Sequence, residues 1–144
     1  MRRLLLSSLL LAALAAPLLG RPAPPETPLQ PVVESYYQLA AGKTDEWFAL
    51  YTKEHLPILR ERQKSGSIVR IIIYRPFLHQ GGPLWDYKVI LIYRDFAALG
   101  DRAEQEAIER RLYPDSDAHR HAEQRRWEIT TKHWDDIMTE VEVK

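Results

Sequence analysis

Two segments of the chain are apolar on both faces of the strands they would form. Residues 67–77 read SIVRIIIYRPF and residues 86–96 read DYKVILIYRDF, and their centres, 71–73 and 89–92, contain no alternating polar residues. An antiparallel strand with one face in water has a polar residue at every second position. Both faces of this sheet must therefore be covered. Helices of a domain this small can cover one face, so we expect a second copy of the chain to cover the other.

The segments around these strands supply a turn and a further strand. Gly81-Gly82-Pro83 lies between the two apolar segments and is typical of a turn, which predicts a hairpin with a longer loop. Residues 32–39 (VVESYYQL) alternate and are rich in β-branched and aromatic residues, which predicts the first strand. One face of that strand carries Val33, Ser35, Tyr37 and Leu39, and the other carries Val32, Glu34, Tyr36 and Gln38.

A helical pattern follows the first strand. Thr44 is the expected N-cap, and apolar residues recur at helical spacing until Ser65-Gly66 ends the helix. Pro57 interrupts this pattern because its ring clashes with the carbonyl group of the residue four positions earlier. We therefore expect a kink or a break around His55 and Leu56.

The second helical region follows the third strand in three pieces. The first is a short turn at residues 95–99, and the second is capped by Asp101, with Glu104 at the spacing of a capping box. The third begins at Asp115 or Ser116 and is expected to run to residue 136. Trp127 and Trp134 would share the face of this helix that packs on the sheet, because they are two helical turns apart.

The end of the chain has two interpretations. Residues 137–144 (IMTEVEVK) alternate, which predicts a closing strand with Ile137, Thr139, Val141 and Val143 facing inward. The alternative is that the preceding helix continues through Ile137 and Met138.

The predicted order of elements is βαββαβ, which is the ferredoxin-like α+β arrangement with an enlarged second helical region. The stretches GKTDEWFALYTKEHLPIL, SGSIVR and LWDYKVILIYRDF resemble dimeric α+β barrel proteins, a superfamily that includes antibiotic-biosynthesis-type monooxygenases and NIPSNAP-type proteins. The resemblance implies that two ferredoxin-like subunits pair their sheet faces into a barrel. It implies little about function, because one fold hosts many activities.

The start of the chain predicts export. Residues 1–20 contain Arg2 and Arg3 followed by an apolar run too short to span a bilayer, and an A-x-A pattern for cleavage, which together indicate a signal peptide. An uncleaved signal anchor is the alternative. Residues 21–31 (RPAPPETPLQP) predict a proline-rich spacer, and residues 32–144 predict one domain. We expect a periplasmic or secreted protein that has no membrane association after cleavage.

Composition argues against several classes of function. The chain has no cysteine, so disulfides contribute nothing to its stability. It has 20 basic and 20 acidic residues, and residues 101–136 contain seven basic against ten acidic ones. Such interspersed charge makes nucleic acid an unexpected partner.

The histidine-rich stretch at residues 117–136 is a poor metal site. His119 and His121 would point about 200° apart on a helix. His119 and Glu123 are spaced for chelation, but zinc sites need three or four ligands, and His133 would lie about 21 Å along the same helix. We therefore expect no metal and no cofactor.

His55 is the candidate catalytic residue. It lies on the apolar arc of the first helix beside the Pro57 interruption, where a helix end could open onto the sheet. A histidine there could act as a general base for a small substrate. The alternative is a structural histidine bonded to a carbonyl group that Pro57 leaves free.

The strand ends supply the candidate ligand-binding residues. The sequences IIYR and LIYR end two strands, and a barrel mouth there could hold an anionic or aromatic ligand. Because strand side chains alternate, each tyrosine and the arginine after it point to opposite faces. The candidate set is Tyr74, Arg75, His79, Trp85 and Tyr93.

Three functional hypotheses remain open. The first is an exported homodimer that binds a small, mainly apolar ligand or acts as a structural module. The second is a cofactor-independent oxygenase or isomerase, with His55 as base and Tyr93 or Arg75 orienting the substrate. The third is a module that binds a protein partner through the charged outer helix, with an exposed apolar strip beside Trp127 or Trp134.

Overall fold

A computed structural model describes residues 29–79 and 81–141. The predicted signal peptide, most of the proline-rich spacer and residues 142–144 lie outside the described residues. The element order is β1 (Val32–Leu39), α1 (Thr44–Leu50), a π segment (Tyr51–His55), α2 (Leu56–Lys64), β2 (Ile68–Tyr74), β3 (Tyr87–Tyr93), α3 (Phe96–Gly100), α4 (Arg102–Leu112), α5 (Ser116–Glu128) and β4 (Thr130–Met138). None of the described helices is long and apolar enough to cross a membrane.

The four strands form one antiparallel sheet in the order β2-β3-β1-β4. This is the strand order of a ferredoxin-like fold, and it confirms the predicted α+β architecture. The alternation in β1 is also as predicted, because Val33, Ser35, Tyr37 and Leu39 are buried while the residues between them are partly exposed.

The core lies between the helices and one face of the sheet. Trp47 from α1 is completely buried, and its ring stacks on Tyr51 at 4.9 Å and on Tyr87 at 5.1 Å between ring centres. Tyr37 of β1 lies 4.6 Å from the same indole ring. The helices are thus anchored to the sheet by a cluster of aromatic rings.

The other face of the sheet, called the open face below, carries none of the described helices. Its centre is formed by isoleucines of β2 and β3 that are partly exposed in the single chain. The doubly apolar strands therefore have one face in the core and one on the surface. The register assigns to the open face Val32, Glu34, Tyr36, Gln38, Arg70, Ile72, Tyr74, Lys88, Ile90, Ile92, Lys132, Trp134, Asp136 and Met138.

The helix interruption lies where it was predicted, around His55 and Leu56. The chain does not break at Pro57, which occupies the first turn of α2. Instead the helix widens into the π segment, in which the Leu56 amide donates to the Tyr51 carbonyl. The Lys53 carbonyl, which Pro57 cannot satisfy, accepts a hydrogen bond from the Tyr113 hydroxyl at 2.9 Å. Thr44 is not the N-cap either, since α1 begins with Thr44 after Lys43 and has no side-chain cap.

The caps of the later helices agree with the sequence. Asp101 accepts a hydrogen bond from the Glu104 amide at 2.9 Å, and Asp115 accepts one from the Ala118 amide at 3.0 Å. Asp95 likewise caps the short helix α3 through the Ala98 amide at 2.7 Å. Carboxylates at these positions satisfy amides that have no partner within the helix.

The largest difference from the sequence prediction is at the end of the described chain. The third helix does not reach residue 136, because α5 ends at Glu128 and β4 already begins at Thr130. The closing strand is therefore not residues 137–144, and helix does not continue through Ile137 and Met138. The physical reason is Ile129, which is buried in the core and whose carbonyl accepts a hydrogen bond from the Ala40 amide at 2.9 Å.

The two C-terminal tryptophans consequently lie on different elements. Trp127 is near the end of α5 on the helical side of the sheet. Trp134 is in β4 on the open face, where its ring stacks on Tyr36 at 4.8 Å with the planes 5° apart. The prediction that they share one helix face is therefore wrong.

Candidate functional site

A cleft opens on the helical side of the molecule, between α4 and α5, with residues of the π segment and α2 at its base. Its volume is 840 Å³. We call it the helix-side cleft. It is lined by His55, Ile58, Gln105, Glu106, Glu109, Arg110, Tyr113, Pro114, Ser116, His119, Arg120, Glu123, Arg126 and Trp127.

The corner between α4 and α5 is fixed to the π segment by two contacts. One is the hydrogen bond from the Tyr113 hydroxyl to the Lys53 carbonyl described above. In the other, Nδ1 of His119 lies 3.0 Å from Oε2 of Glu54, a side chain that is only 6% exposed. The His119 ring stacks on Tyr113 with centres 3.9 Å apart. The π segment beside Pro57 thus holds the corner between α4 and α5 that forms one end of the cleft.

The ionisation of Glu54 follows from this packing. Burial opposes ionisation of its carboxyl group, but hydrogen bonds from His119 and Lys53 outweigh burial and hold its pKa below the usual value. Glu54 therefore remains a carboxylate that holds His119 in place at neutral pH.

His55 lies at the base of the cleft with a quarter of its side chain exposed. Its Nδ1 is 4.0 Å from Oε2 of Glu123, and its ring is 5.2 Å from that of Tyr51. Burial, reinforced by the nearby Arg126 charge, lowers the pKa of His55 to about 4. The imidazole is therefore neutral at physiological pH, where it can donate or accept a hydrogen bond but is a weak base.

Arg126 is the most unusual residue of the cleft because it is charged and only 2% exposed. Its Nε and Nη2 donate to the two carboxylate oxygens of Glu123 at 3.1 and 2.6 Å. The guanidinium carbon lies 4.7 Å from the Trp127 ring centre, 5.7 Å from that of Tyr51 and 6.0 Å from that of Trp47. These aromatic faces stabilise a buried cation. Its Nη1, however, is buried without a hydrogen-bond partner among the described residues.

Two ring-bearing residues of the sheet lie close to Arg126. Burial raises the pKa of Tyr37 to about 12, against the opposing effect of the Arg126 charge. His133 of β4 has its ring 4.6 Å from Tyr37 and 5.1 Å from Trp127, and burial lowers its pKa. Both groups are therefore neutral at physiological pH, so Arg126 and Glu123 supply the charges at this end of the cleft.

The residues predicted to bind a ligand do not lie together in one site. Tyr93 is buried against the helices, with the Arg62 guanidinium carbon 5.3 Å from its ring centre. Arg75 is exposed beyond the end of β2. Tyr93 and Arg75 do not line the helix-side cleft. The structure thus does not bring either of them to His55, as the oxygenase or isomerase hypothesis requires.

The other three predicted residues belong to the open face or to the loop beside it. Tyr74 is exposed, with the Lys88 ammonium 5.5 Å from its ring centre. Nε2 of His79 lies 2.8 Å from the Trp85 carbonyl oxygen, and the Trp85 ring is 6.0 Å from that of Tyr36. Together with the Tyr36–Trp134 stack, these groups form an aromatic surface on the opposite side of the sheet from the cleft.

Sequence reasoning did not identify Arg126 or Glu54 as candidate site residues. The spacing of Glu123 and Arg126, three apart on a helix, is that of an ordinary surface ion pair. Only the packing of α5 against the π segment buries it. Across residues 29–79 and 81–141, no group of three or more histidine, aspartate or glutamate side chains is arranged to hold a metal ion.

Comparisons with known proteins agree with the fold. No protein-family profile and no curated protein matches the sequence. A NIPSNAP family protein from Agrobacterium tumefaciens is similar in structure, with 20% identity, a TM-score of 0.52, and coverage of 81% of this chain and 90% of that one. A dimeric ferredoxin-like protein from an uncultured marine organism has 8% identity and a TM-score of 0.54 over 81% of this chain and 91% of its own.

A second dimeric ferredoxin-like protein from an uncultured marine organism has 12% identity and a TM-score of 0.51, with 81% of this chain and 99% of that one covered. At such identities the similarity shows the fold alone, and that fold is ferredoxin-like. The resemblance predicted from the sequence, to ferredoxin-like proteins that include the NIPSNAP type, is confirmed at this level.

Proposed function

We propose that the chain is an exported homodimer that binds a small organic ligand in the helix-side cleft. The observation that carries the proposal is the cleft itself, which combines a buried Arg126 with an indole, Trp127, that is 45% exposed. Its volume of 840 Å³ falls within the range of about 300–1,000 Å³ that is usual for small-molecule sites. The cleft is concave and combines apolar or aromatic side chains with charged ones, which suits a small ligand better than a flat protein surface does.

The homodimer is supported by the open face. Ile72, Ile90 and Ile92 lie together on it and are partly exposed in the single chain. Contiguous apolar surface of this kind is typical of an interface. Two of the structural neighbours described above are dimeric ferredoxin-like proteins. We propose that the open faces of two copies pack on each other and leave the helix-side clefts on the outside of the dimer.

Export is proposed from the sequence of residues 1–20 alone. Expression of the full chain with its own N-terminus, followed by intact-mass measurement of the product, tests it. A mature chain that starts near residue 21 supports export. A full-length chain that stays in the cell contradicts it.

Ligand binding is tested first by native mass spectrometry of the mature protein, which reports both the number of subunits and any retained small molecule. The second test is titration of ¹⁵N-labelled protein with 2-naphthamide, a neutral, planar and mainly apolar probe. The four tryptophan indole signals are assigned with single Trp→Phe variants. We expect the Trp127 signal to shift in a saturable way while that of Trp134, on the open face, stays in place.

Two outcomes of the titration would contradict the proposal. If no indole signal responds to saturating probe, the cleft is not a ligand site. If Trp85 and Trp134 respond and Trp127 does not, the ligand binds the aromatic surface of the open face instead.

A further inference from the structure

We infer that the ligand of the helix-side cleft carries a carboxylate group that binds the Nη1–Nη2 edge of Arg126. This inference rests on the proposed function, since it specifies the chemical class of the ligand bound in the cleft. The observation behind it is Nη1 of Arg126. In the described part of the chain, this is the one buried side-chain nitrogen or oxygen atom that lacks a hydrogen-bond partner.

The geometry of the guanidinium group shows which hydrogen bonds Arg126 does not make. A guanidinium has five N–H donors arranged so that two different edges can each hold a carboxylate. Glu123 occupies the edge formed by Nε and Nη2, at 3.1 and 2.6 Å. The Nη1–Nη2 edge has no acceptor among residues 29–79 and 81–141. A buried donor without an acceptor is unfavourable, so a ligand acceptor at this position gains binding free energy that a water-exposed arginine would not give.

The charges of the cleft favour a singly charged, planar acceptor. Three carboxylates and three guanidinium groups line the cleft, so its formal charge is balanced and gives a dianion such as phosphate no net attraction. The balanced charges belong to Glu106, Glu109, Glu123, Arg110, Arg120 and Arg126. A carboxylate has both the single charge and the flat shape that match the guanidinium edge.

The neighbours of Arg126 indicate what else the ligand contains. Nη1 is shielded from water, and the Trp127 ring centre is 4.7 Å from the guanidinium carbon. We expect the carboxylate to reach Nη1 when the half-exposed Trp127 side chain rotates. The same indole then packs on the apolar part of the ligand, and His55, whose Nδ1 lies 4.0 Å from Oε2 of Glu123, lines the same cleft.

The experiment compares 2-naphthoate with 2-naphthamide, two probes of the same ring and size that differ in charge, by isothermal titration calorimetry on the mature protein. We expect 2-naphthoate to bind about 10- to 100-fold more tightly, as befits a charged hydrogen bond in a buried site. The variant Glu123→Gln keeps a hydrogen-bond acceptor but removes the competing charge. It should raise the affinity for 2-naphthoate relative to that for 2-naphthamide by about a further 10-fold.

The matched control is Glu128→Gln, because it makes the same change on the same helix. Glu128 pairs with Arg125 and does not line the cleft, so this variant should behave like the original protein. The double variant Glu123→Gln with Arg126→Gln leaves a neutral pair, and it should abolish the preference for 2-naphthoate. The single Glu123→Gln variant keeps the test decisive if the double variant does not fold.

The outcomes separate this inference from the proposed function. Equal affinity for the two probes, with the Trp127 signal responding to both, would support a cleft that binds ligands but refute the carboxylate class. No response of Trp127 to either probe would overturn both proposals. Tighter binding of 2-naphthoate that Glu123→Gln weakens or leaves unchanged would show that the carboxylate binds elsewhere than Arg126.

Discussion

The hydroxyl group of Thr130 joins three elements beneath the cleft, and its removal gives a specific prediction. Oγ1 of Thr130 accepts a hydrogen bond from Nε1 of Trp47 at 3.0 Å and donates one to the Arg126 carbonyl at 2.8 Å. The substitution Thr130→Val keeps the shape of the side chain but removes both bonds. It leaves the indole N–H of a completely buried Trp47 without a partner.

The expected cost follows from that unpaired donor. A buried polar group that loses its partner costs about 1–3 kcal/mol, so we expect Thr130→Val to lower the free energy of unfolding by about 2 kcal/mol. For a domain of roughly 100 residues, this corresponds to a fall in Tm of about 8 to 16 °C. Urea unfolding at a fixed protein concentration measures it, since a dimer's stability depends on concentration. Thr130→Ser is the matched control, and it should cost no more than one buried methyl group, about 0.8 kcal/mol.

A double-mutant cycle assigns the loss to the Trp47–Thr130 hydrogen bond. Trp47→Phe removes the indole N–H, so its cost should be about 1 kcal/mol smaller in the Thr130→Val background than in the original protein. Costs that add to within about 0.3 kcal/mol would refute the reasoning, because they would show that the bond contributes nothing to stability.

Three further predictions concern the open face and the acid response. Ile90→Glu should convert the proposed dimer to a monomer in light scattering, whereas Val69→Glu, at the exposed bulge of β2, should not. In the unfolded chain His55 binds a proton below about pH 6.5. In the folded chain its pKa is about 4, so it stays neutral down to that pH. Stability should therefore fall by up to about 3 kcal/mol over that window, and His55→Leu should remove this fall in urea titrations. Glu54 has a lowered pKa in the folded chain, so its carboxylate stabilises the fold above pH 4.5. That contribution to stability is lost as the pH falls below 4.5 and the carboxylate is protonated. Glu54→Gln should therefore flatten the stability profile below pH 4.5, and an unchanged profile would contradict the His119 contact.

The sequence predicted β1, β2 and β3 but placed the closing strand at residues 137–144 instead of Thr130–Met138. β1 and β3 lie in the middle of the sheet, so their apolar patterns are regular. β4 lies at the edge and is largely exposed on both faces, so its residues carry no alternation that distinguishes a strand from a solvated helix. The signal that was available is the run Ile129-Thr130-Thr131, since β-branched residues favour strands, and Ile129 does not fit the face of the predicted helix.

The candidate site was predictable only in part, for a different reason. His55 could be selected because Pro57 marks a local irregularity next to it. The pairing of His119 with Glu54 spans 65 positions of the chain, and no local pattern encodes it. The same is true of the burial of Arg126, which depends on aromatic rings from α1 and the π segment.

The π segment also restricts how the length of this chain can change. A π turn holds one residue more than an α turn, since its hydrogen bond spans five positions, as from Leu56 to Tyr51. Deleting a single residue between positions 51 and 55 would restore regular α-helix and leave the orientation of α1 almost unchanged, because four α residues turn the chain about as far as five π residues. Trp47 would keep facing the core, and the change would fall on the residues of the π segment, which include His55 at the base of the cleft. A shortened relative of this protein could therefore keep its core, but it would have to lose Pro57 in the same step, because a regular helix places the proline ring against the carbonyl group four positions earlier.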